Sequence, residues 1–214
     1  MINLVIYGAG DLSLEVIWYI DQINALKPTY KVLGILDDYC TPGTPIGEYF
    51  VLGGKEYFEL HQEPVGVVIA IASPTVSNSI FSSLSSYKFI FYPNIISPSS
   101  LVSPSAVLGQ GCIIPPGVVI NVNVNIGDFV KLGQGAMINH HCCVGNHSFV
   151  GPNSTLTGHV ELGARCFVGA AATILPECKI VKDTMIGAGS TVTKSIEESG
   201  IYIGCPARIK EKKV

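Results

Sequence analysis

Aliphatic residues recur at every sixth position along nearly half of the chain. The anchors of this series are Ile96, Val102, Leu108, Ile114, Ile120, Ile126, Leu132, Ile138, Val144, Val150, Leu156, Leu162, Val168, Ile174, Ile180, Ile186 and Val192. The residue after an anchor is often glycine, and the fourth residue after it is mostly small. A short fixed period marks a repeat architecture, and a hexapeptide period predicts a parallel β-helix. Each hexad then forms one flat side, in which the anchor and the small residue point inward and the glycine-rich step turns the corner.

Three hexads make one triangular coil, so residues eighteen apart in the sequence stack on one another. The series of anchors therefore predicts between five and six coils. Four of the seven cysteines occupy the small inward position, where cysteine acts as a compact apolar filler rather than a disulfide partner. These are Cys112, Cys142, Cys166 and Cys178.

Residues 1–92 follow a different pattern. Apolar runs at 3–7, 31–36, 65–72 and 88–92 predict buried strands, and apolar spacing predicts helices from Leu12 onward and over 76–84. The first run enters Gly8-Ala9-Gly10, and the second ends at Asp37-Asp38. Strand, glycine turn, helix, strand and acid together predict a Rossmann-like α/β domain with a parallel sheet. We therefore place this domain at 1–92, an all-β parallel β-helix at 93–208 and a short tail at 209–214.

The glycine turn matches a dinucleotide fingerprint only in part, because Ser13 stands where the third glycine is expected. Three interpretations stay open for it. The turn binds a dinucleotide, or its N–H groups face the phosphate of another nucleotide at the start of a helix, or it is a tight turn without a ligand.

Composition argues against several classes of function. The net charge of −3 is spread without blocks of like charge, which argues against partners such as nucleic acid or an anionic membrane surface. No apolar run approaches the ~18 residues of a membrane span. The first residues lack the charged segment of a signal peptide, and no CxxC pair is present. We expect a cytoplasmic protein.

The histidines are concentrated in one part of the repeat. His140 and His141 lie two and three residues after the anchor Ile138, so both should face away from the packed interior. Imidazole titrates near working pH, which suits a general base that takes a proton from an attacking amine. A metal cluster and a pair of exposed histidines without a role are the alternatives.

Small residues stack beside this segment. Gly158 lies one coil after His140, and Ala188 lies one coil after Ala170. Such positions leave a smooth groove along the edge of the helix, which would suit an extended ligand that pairs with exposed backbone.

The hexad register resembles the left-handed β-helix of the hexapeptide acyltransferases over roughly residues 94–208, and the left hand is implied by that resemblance. Gly204-Cys205-Pro206-Ala207-Arg208 is similar to a tail found widely among them. Four further segments extend the resemblance to the sugar N- and O-acetyltransferases, such as bacillosamine and perosamine N-acetyltransferases and sialic acid O-acetyltransferase-like proteins. These segments are Tyr7-Gly8-Ala9-Gly10, Leu36-Asp37-Asp38, Ala70-Ile71-Ala72 and the stretch around His140.

The resemblance implies an acetyl-CoA-dependent N-acetyltransferase that acts on the 4-amino group of a nucleotide-linked amino-dideoxy sugar, a precursor of surface glycans. It implies a homotrimer without a metal, with direct attack by the amine and His140 as general base, assisted by His141. The implied coenzyme contacts are Phe149, Gly158, Ala170 and Ala188. The implied substrate contacts are Gly10, Asp11, Leu12, Asp37, Asp38, Ala72 and Thr75.

The sequence departs from the subgroup at three places. His141 stands where the subgroup has an acid, Phe149 where it has a second histidine, and Gly10-Asp11-Leu12-Ser13 where it has a Gly-x-Ser/Gly-Gly-His segment. O-acetylation of a sialic acid-type sugar and a non-catalytic trimeric nucleotide-binding scaffold are the alternative functions. The sequence identifies neither the nucleotide nor the sugar.

Overall fold

The computed structural model of the protein describes residues 1–210, and residues 211–214 of the expected tail lie outside them. An α/β domain comes first and a left-handed β-helix follows, which confirms the expected architecture. No helix in the described part is long and apolar enough to cross a membrane.

The first domain contains six strands and three helices. Their bounds are β1 Ile2–Tyr7, α1 Asp11–Leu26, β2 Tyr30–Leu36, β3 Pro45–Ile46, β4 Tyr49–Gly53, α2 Tyr57–Leu60, β5 Val65–Ile69, α3 Pro74–Leu84 and β6 Ile90–Phe91. The sheet order is β3-β4-β2-β1-β5-β6, and only the β3–β4 hairpin is antiparallel. Strands β2, β4 and β3 lie on one side of β1, and β5 and β6 lie on the other. The strand order therefore reverses at β1, and a crevice opens at the carboxyl ends of β1 and β5. The hairpin and α2 were absent from the sequence prediction.

The turn after β1 explains one of the glycines. Gly8 has φ +115°, and a Cβ there would lie 2.8 Å from Cγ1 of Ile71 and 2.9 Å from the carbonyl oxygen of Ala70. Any larger residue would therefore push β1 and β5 apart at the crevice.

The β-helix is made of two-residue strands. They are β7 Ile95–Ile96, β8 Leu101–Val102, β9 Val107–Leu108, β10 Ile113–Ile114, β11 Val119–Ile120, β12 Asn125–Ile126, β13 Lys131–Leu132, β14 Met137–Ile138, β15 Cys143–Val144, β16 Phe149–Val150, β17 Thr155–Leu156, β18 Glu161–Leu162, β19 Phe167–Val168, β20 Thr173–Ile174, β21 Lys179–Ile180, β22 Met185–Ile186 and β23 Thr191–Val192. They are followed by β24 Ile201–Ile203 and β25 Arg208–Ile209, which pair with each other antiparallel at the end of the helix.

Three parallel sheets form the faces of this helix. The first face contains β7, β10, β13, β16, β19 and β22, the second β8, β11, β14, β17, β20 and β23, and the third β9, β12, β15, β18 and β21. Five coils are complete and a sixth lacks its third strand, as the period predicts. Anchors and small residues from Cys112 onward form one buried core, which includes the four inward cysteines.

The corners are turned differently from the expectation. The residue with a left-handed backbone is the third after each anchor, for example Asn123 at φ 57° and His141 at φ 60°. The glycines directly after anchors have another function. A Cβ on Gly163 would lie 2.5 Å from the backbone nitrogen of Lys182 in the next coil, so glycine is needed there for coil-to-coil contact. The proposed corner role of these glycines was wrong.

We name the three corners for what they carry. The histidine corner lies between the second and third faces and contains Asn123, His141, His159 and Glu177. The docking corner lies between the third and first faces and contains Phe129, His147, Arg165 and Asp183. The alanine corner lies between the first and second faces and contains Gln134, Pro152, Ala170 and Ala188.

The α/β domain covers the first face. Ile95 and Ile113 of that face belong to the same buried cluster as Leu4, Ile6 and Val16 of the first domain. Phe129 at the docking corner joins the other cluster of that domain. The histidine corner is the vertex opposite the first face, so it lies away from the α/β domain.

Candidate active site

Three imidazoles meet at the histidine corner. His140, His141 and His159 are all exposed, and one nitrogen from each lies within 4.8 Å of the others. The His141 and His159 rings are stacked at 4.8 Å, and the His140 ring meets both edge-on at 5.5 and 5.3 Å. The expectation that His140 and His141 face away from the interior is confirmed.

The backbone fixes these side chains. His141 and His159 have φ near +60°, and their N–H groups donate to the carbonyls of Val122 and His140 in the preceding coil. A regular ladder between coils thus holds both residues, so the imidazoles project from a rigid support.

Gly158 makes room for the His140 ring. A Cβ at residue 158 would lie 2.5 Å from Cε1 and 2.8 Å from Nε2 of His140. The absent side chain therefore leaves space that the His140 imidazole occupies, and the His140 ring rests on the backbone of the next coil.

A chain of hydrogen bonds leads away from His140. Its Nδ1 lies 3.3 Å from Nδ1 of His141, and Nε2 of His141 lies 3.1 Å from the side-chain amide of Asn123. Within residues 1–210, no carboxylate hydrogen-bonds to His140 or His141. An imidazole and an amide therefore lie beside His140, at the place where the resemblance implies an acid.

The predicted coenzyme residues lie elsewhere on the helix. Ala170 and Ala188 are exposed at the alanine corner, one face away from His140, and Phe149 lies on the first face and stacks on Phe167 at 4.9 Å. In the described residues the N–H groups of Ala170 and Ala188 make no hydrogen bond. A single chain therefore does not bring these residues to His140.

The crevice of the α/β domain holds a cavity of about 770 Å³. Tyr7, Ile71 and Thr75 line it, together with Asp37 and Asp38. Asp37 is occupied, since its carboxylate accepts from the N–H groups of Ala9, Tyr39 and Cys40. Asp38 accepts from the Tyr7 hydroxyl at 2.6 Å and from the Lys55 N–H at 3.1 Å through the same oxygen, which leaves its second oxygen for a ligand.

This environment also affects Tyr7. Burial, and then the hydrogen bond to Asp38, raise the pKa of the Tyr7 phenol above its ordinary value. Tyr7 therefore stays protonated and keeps Asp38 in place at the edge of the cavity.

The remaining predicted substrate residues flank the glycine turn. Gly10 is exposed as the N-cap of α1, and a Cβ there would meet nothing within 4 Å. Leu12 and Ala72 line a second cavity of about 190 Å³ between the two domains, with Gln134 and Phe149 on its other wall. Asp11 is exposed at the first position of α1. Two cavities thus lie on either side of the segments that follow β1 and β5.

A polar bridge closes one side of the smaller cavity. The Gln134 amide donates to Glu15 at 2.9 Å and to the Tyr19 hydroxyl at 2.7 Å, and that hydroxyl donates to Glu15 at 2.7 Å. These contacts tie α1 to the alanine corner. The smaller cavity and the groove along Ala170 and Ala188 at the alanine corner, called the alanine groove below, therefore lie on the same side of the molecule.

A buried polar cluster lies at the other side of the domain contact. Lys131 is only 3% exposed, and its Nζ donates to Ser77 Oγ at 2.8 Å and to the Phe129 carbonyl at 3.3 Å. Burial lowers the pKa of Lys131 to about 7. His147 lies 3.4 Å from Ser77 Oγ, and burial followed by the Lys131 charge lowers its pKa to about 4.

Several of these residues have no role that the sequence alone predicts. Asn123 and His159 could have been found from the eighteen-residue spacing around His141. The contacts of Glu15, Tyr19, Ser77 and Lys131 cross the domain boundary, and no periodic pattern indicates them. His147 lies two residues before Phe149, but it is buried under the α/β domain and so cannot supply the second histidine that the subgroup has at that place.

Comparisons with known proteins agree with this architecture. The PglD N-terminal domain family matches residues 3–84, and the bacterial transferase hexapeptide family (six repeats) matches residues 123–158. The crystal structure of PerB from Caulobacter crescentus, in complex with CoA and GDP-perosamine, is 30% identical. It covers 98% of this chain and 97% of its own, with a TM-score of 0.89.

The chain belongs to the hexapeptide-repeat sugar acetyltransferases.

More distant structures share the fold. The acetyltransferase domain of PglB from Neisseria gonorrhoeae is 22% identical, covering 97% of this chain and 99% of its own with a TM-score of 0.87. WeeI from Acinetobacter baumannii is also 22% identical, covering 98% of this chain and all of its own with a TM-score of 0.70. No curated protein sequence matches the chain significantly. The family resemblance drawn from the sequence motifs is confirmed.

Proposed function

We propose that the protein transfers the acetyl group of acetyl-CoA to the 4-amino group of a nucleotide-linked amino-dideoxy sugar, with His140 as general base. The observation that carries the proposal is the His140 imidazole, exposed and resting on Gly158 at a rigid corner of a sugar acetyltransferase fold. The similarity to PerB, crystallised with CoA and GDP-perosamine, supports the class of both substrates.

The reaction needs one proton acceptor beside the amine. The sugar nitrogen attacks the thioester carbonyl, a C–N bond forms, and the tetrahedral intermediate collapses as the C–S bond breaks. The amine proton moves to Nε2 of His140, and the coenzyme leaves as a thiolate that takes up a proton. Positioning of the two substrates supplies most of the remaining rate enhancement.

The tautomer of His140 follows from its neighbours. Nε2 is free to accept a proton only if Nδ1 of His140 carries the hydrogen and donates it to Nδ1 of His141. His141 then carries its own hydrogen on Nε2 and requires an acceptor, which the Asn123 amide oxygen supplies after an ordinary amide flip. Asn123 and His141 together thus do in neutral form what an acid does in the subgroup.

The substrates occupy the two cavities and the alanine groove in this proposal. The nucleotide lies in the larger cavity beside Asp37, Asp38 and Thr75, and the phosphates cross the turn at Gly10 and Asp11. The sugar extends toward Leu12 and Ala72. The pantetheine arm follows Ala170 and Ala188, whose free N–H groups match its carbonyls, and Phe149 completes the coenzyme contacts, whereas Gly158 acts by supporting the His140 ring.

These positions require more than one chain. His140 lies at the vertex opposite the face that the α/β domain covers, whereas the cavities and Ala170 lie on the other side. In a homotrimer, the histidine corner of one protomer faces the alanine corner of its neighbour, and closed cyclic symmetry completes each site. The second face between these corners exposes Leu101 (69%) and Met137 (43%), as an interface of copies would require.

The acceptor is tested with a free-thiol release assay over a panel of nucleotide-linked 4-amino sugars and free sialic acids. Turnover of one amino sugar supports the proposal. Turnover of a sialic acid alone would replace it by O-acetylation, and the absence of turnover with every acceptor would favour a nucleotide-binding scaffold.

A complementation experiment tests the shared site. Inactive His140→Ala chains are mixed and reassembled with inactive Ala188→Trp chains. If each site combines two protomers, mixed trimers contain sites with neither change and activity returns. A lack of recovery in verified mixed trimers, or a fully active monomer in light scattering, contradicts this arrangement.

A further inference from the structure

The histidine corner offers more than a proton acceptor. His140, His141 and His159 each present a nitrogen within 4.8 Å of the other two, on three rings that are open to solvent. Acetyl transfer as proposed uses His140 and, through it, His141. The third imidazole has no part in that reaction, and its presence calls for a separate explanation.

The spacing of the nitrogens fits one ion. A tetrahedral zinc ion binds imidazole nitrogen at about 2.0–2.1 Å, which places two ligand nitrogens about 3.3 Å apart. The Nδ1 atoms of His140 and His141 already lie 3.3 Å apart. An ion can therefore replace the proton that these two atoms share.

The third ligand is within reach. His159 stacks on His141 at 4.8 Å, and rotation about its Cβ–Cγ bond directs a nitrogen toward the other two. This torsion is broad for histidine, so the movement costs little. The backbone of both residues is held by hydrogen bonds to the preceding coil, so the ligands are preorganised on a rigid support.

The chemistry of the ligands selects the type of ion. Neutral imidazole suits zinc, copper, nickel and cobalt, whereas calcium and magnesium prefer oxygen ligands. Three histidines leave a fourth position for water, as in a site that exchanges its ligand.

We propose that His140, His141 and His159 bind a transition-metal ion of the zinc type, and that the bound ion inhibits acetyl transfer. The binding stands on the geometry alone, and the inhibition rests on the proposed function. Metal on Nδ1 leaves the proton of neutral His140 on Nε2, and metal on Nε2 occupies that lone pair directly. In both cases His140 has no nitrogen left to accept the amine proton.

Cobalt(II) is the probe for binding, because its tetrahedral complexes absorb in the visible range. The assembled, metal-free protein is titrated with Co²⁺ without substrates, and Zn²⁺ then displaces it. His159→Asn removes one ligand and keeps a residue that tolerates the left-handed backbone. His61→Asn makes the same change at an exposed histidine outside the corner.

We expect one Co²⁺ per chain in the wild type and in His61→Asn. In His159→Asn the affinity falls by more than the roughly 10- to 100-fold that loss of an outer-shell partner costs. Equal Co²⁺ affinity in the wild type and His159→Asn, or no binding in either, overturns the metal site.

Inhibition is measured separately with Zn²⁺ in the thiol-release assay. Zn²⁺ should inhibit the wild type, a chelator should restore it, and His159→Asn should keep its activity at a Zn²⁺ concentration that stops the wild type. Equal inhibition of both proteins, or stimulation by Zn²⁺, overturns the inhibitory effect. If the metal-free protein acetylates none of the amino sugars, the proposed function fails while the cobalt titration still decides the site.

Discussion

His141 and His147 occupy the same position of the hexapeptide repeat and have opposite environments. Each is the third residue after its anchor, and their φ values are 60° and 58°. His141 is exposed between Asn123 and His159. His147 is 6% exposed and stacks on Phe129 at 4.8 Å, beneath the α/β domain.

The difference shows what the repeat determines and what it does not. The repeat sets the backbone conformation and the corner at which a side chain stands. The neighbouring domain then decides whether an imidazole meets water or an apolar contact, and burial disfavours its charged form. Hence the histidine corner is suited to proton transfer and the docking corner is suited to holding the domains together.

The strongest test of this comparison is to remove the proposed base. His140→Ala should lower the turnover number by ~10²- to 10⁴-fold, the usual effect of losing a general base. The oligomer and the affinity for acetyl-CoA should stay unchanged, because His140 is exposed and outside the core. Thiol release measures the turnover number and the KM for acetyl-CoA, and light scattering measures the oligomeric state.

His61→Ala is the matched control and should keep wild-type activity. If His140→Ala were fully active and His147→Ala inactive instead, the functions assigned to the two corners would have to be exchanged.

The second largest effect should come from Gly158, the residue that supports the His140 ring. Gly158→Ala places a Cβ where the imidazole now rests, so the ring must move, and misplacing a catalytic group by about 1 Å costs up to ~10²-fold in rate. We expect kcat to fall by ~10- to 10²-fold with little change in thermal stability.

The double variant His140→Ala, Gly158→Ala distinguishes the cause. If Gly158 acts through His140, the double variant is no slower than His140→Ala alone. A further loss in the double variant, seen as a raised KM for acetyl-CoA, would instead assign Gly158 to the coenzyme groove.

The buried histidine should affect stability in acid. Unfolded histidine titrates near pH 6.5, whereas His147 in the folded protein has a pKa of about 4. The unfolded state thus binds more protons in this window, and the free energy of unfolding falls as the pH drops from about 6.5 to about 4. The loss should reach about 2 kcal/mol.

Urea unfolding of the wild type and His147→Phe at several pH values measures this effect. Phenylalanine keeps the ring stack and already occupies the same corner position at Phe129. The acid-dependent loss should shrink in His147→Phe. An unchanged pH dependence would show that other groups cause it.

A smaller effect should come from the residue that orients His141. Asn123→Asp keeps the shape and the left-handed backbone but supplies a negative acceptor for the His141 Nε2–H. A nearby negative charge stabilises imidazolium, so the midpoint of the pH–rate profile should move to higher pH while kcat changes less than ~10-fold. Asn125→Asp, on the adjoining third face, is the control for charge alone. An identical shift in both variants would contradict the hydrogen-bonded chain.

The fold followed from the sequence because its signals are periodic. The six-residue spacing of anchors such as Ile138 and Val144 predicted the coils. The Gly8-Ala9-Gly10 turn predicted the connection from the first strand to the first helix of the α/β domain. Glycine at positions such as 163 was misinterpreted, since a glycine needed for close approach and a glycine needed for positive φ look alike in a sequence.

The site was predictable only along the repeat. Eighteen-residue stacking connects Asn123, His141 and His159, and the proposal of His140 as the base came from a family motif. Contacts between domains, such as Gln134 with Glu15, pair residues 119 positions apart and depend on how the domains dock. Ala170 and His140 lie at different corners, separated by the second face, and the linear sequence does not show this separation.

Lys131 offers the last and smallest test, since it is the other buried base beside the docking corner, on the first face. Unfolded lysine titrates near pH 10.4, and folded Lys131 has a pKa of about 7. The unfolded state therefore binds more protons between these values, and the free energy of unfolding should rise as the pH increases from 7 to 9. Lys131→Met removes the buried charge but leaves the Phe129 carbonyl without its donor, so we expect a net gain of only about 1 kcal/mol at pH 7. Because the wild type gains roughly 2 kcal/mol between pH 7 and 9 as folded Lys131 loses its proton, the gain should turn into a net loss of about 1 kcal/mol at pH 9, and urea unfolding at the two pH values measures it. A gain that is the same at both values would mean that Lys131 affects stability through packing rather than through its charge.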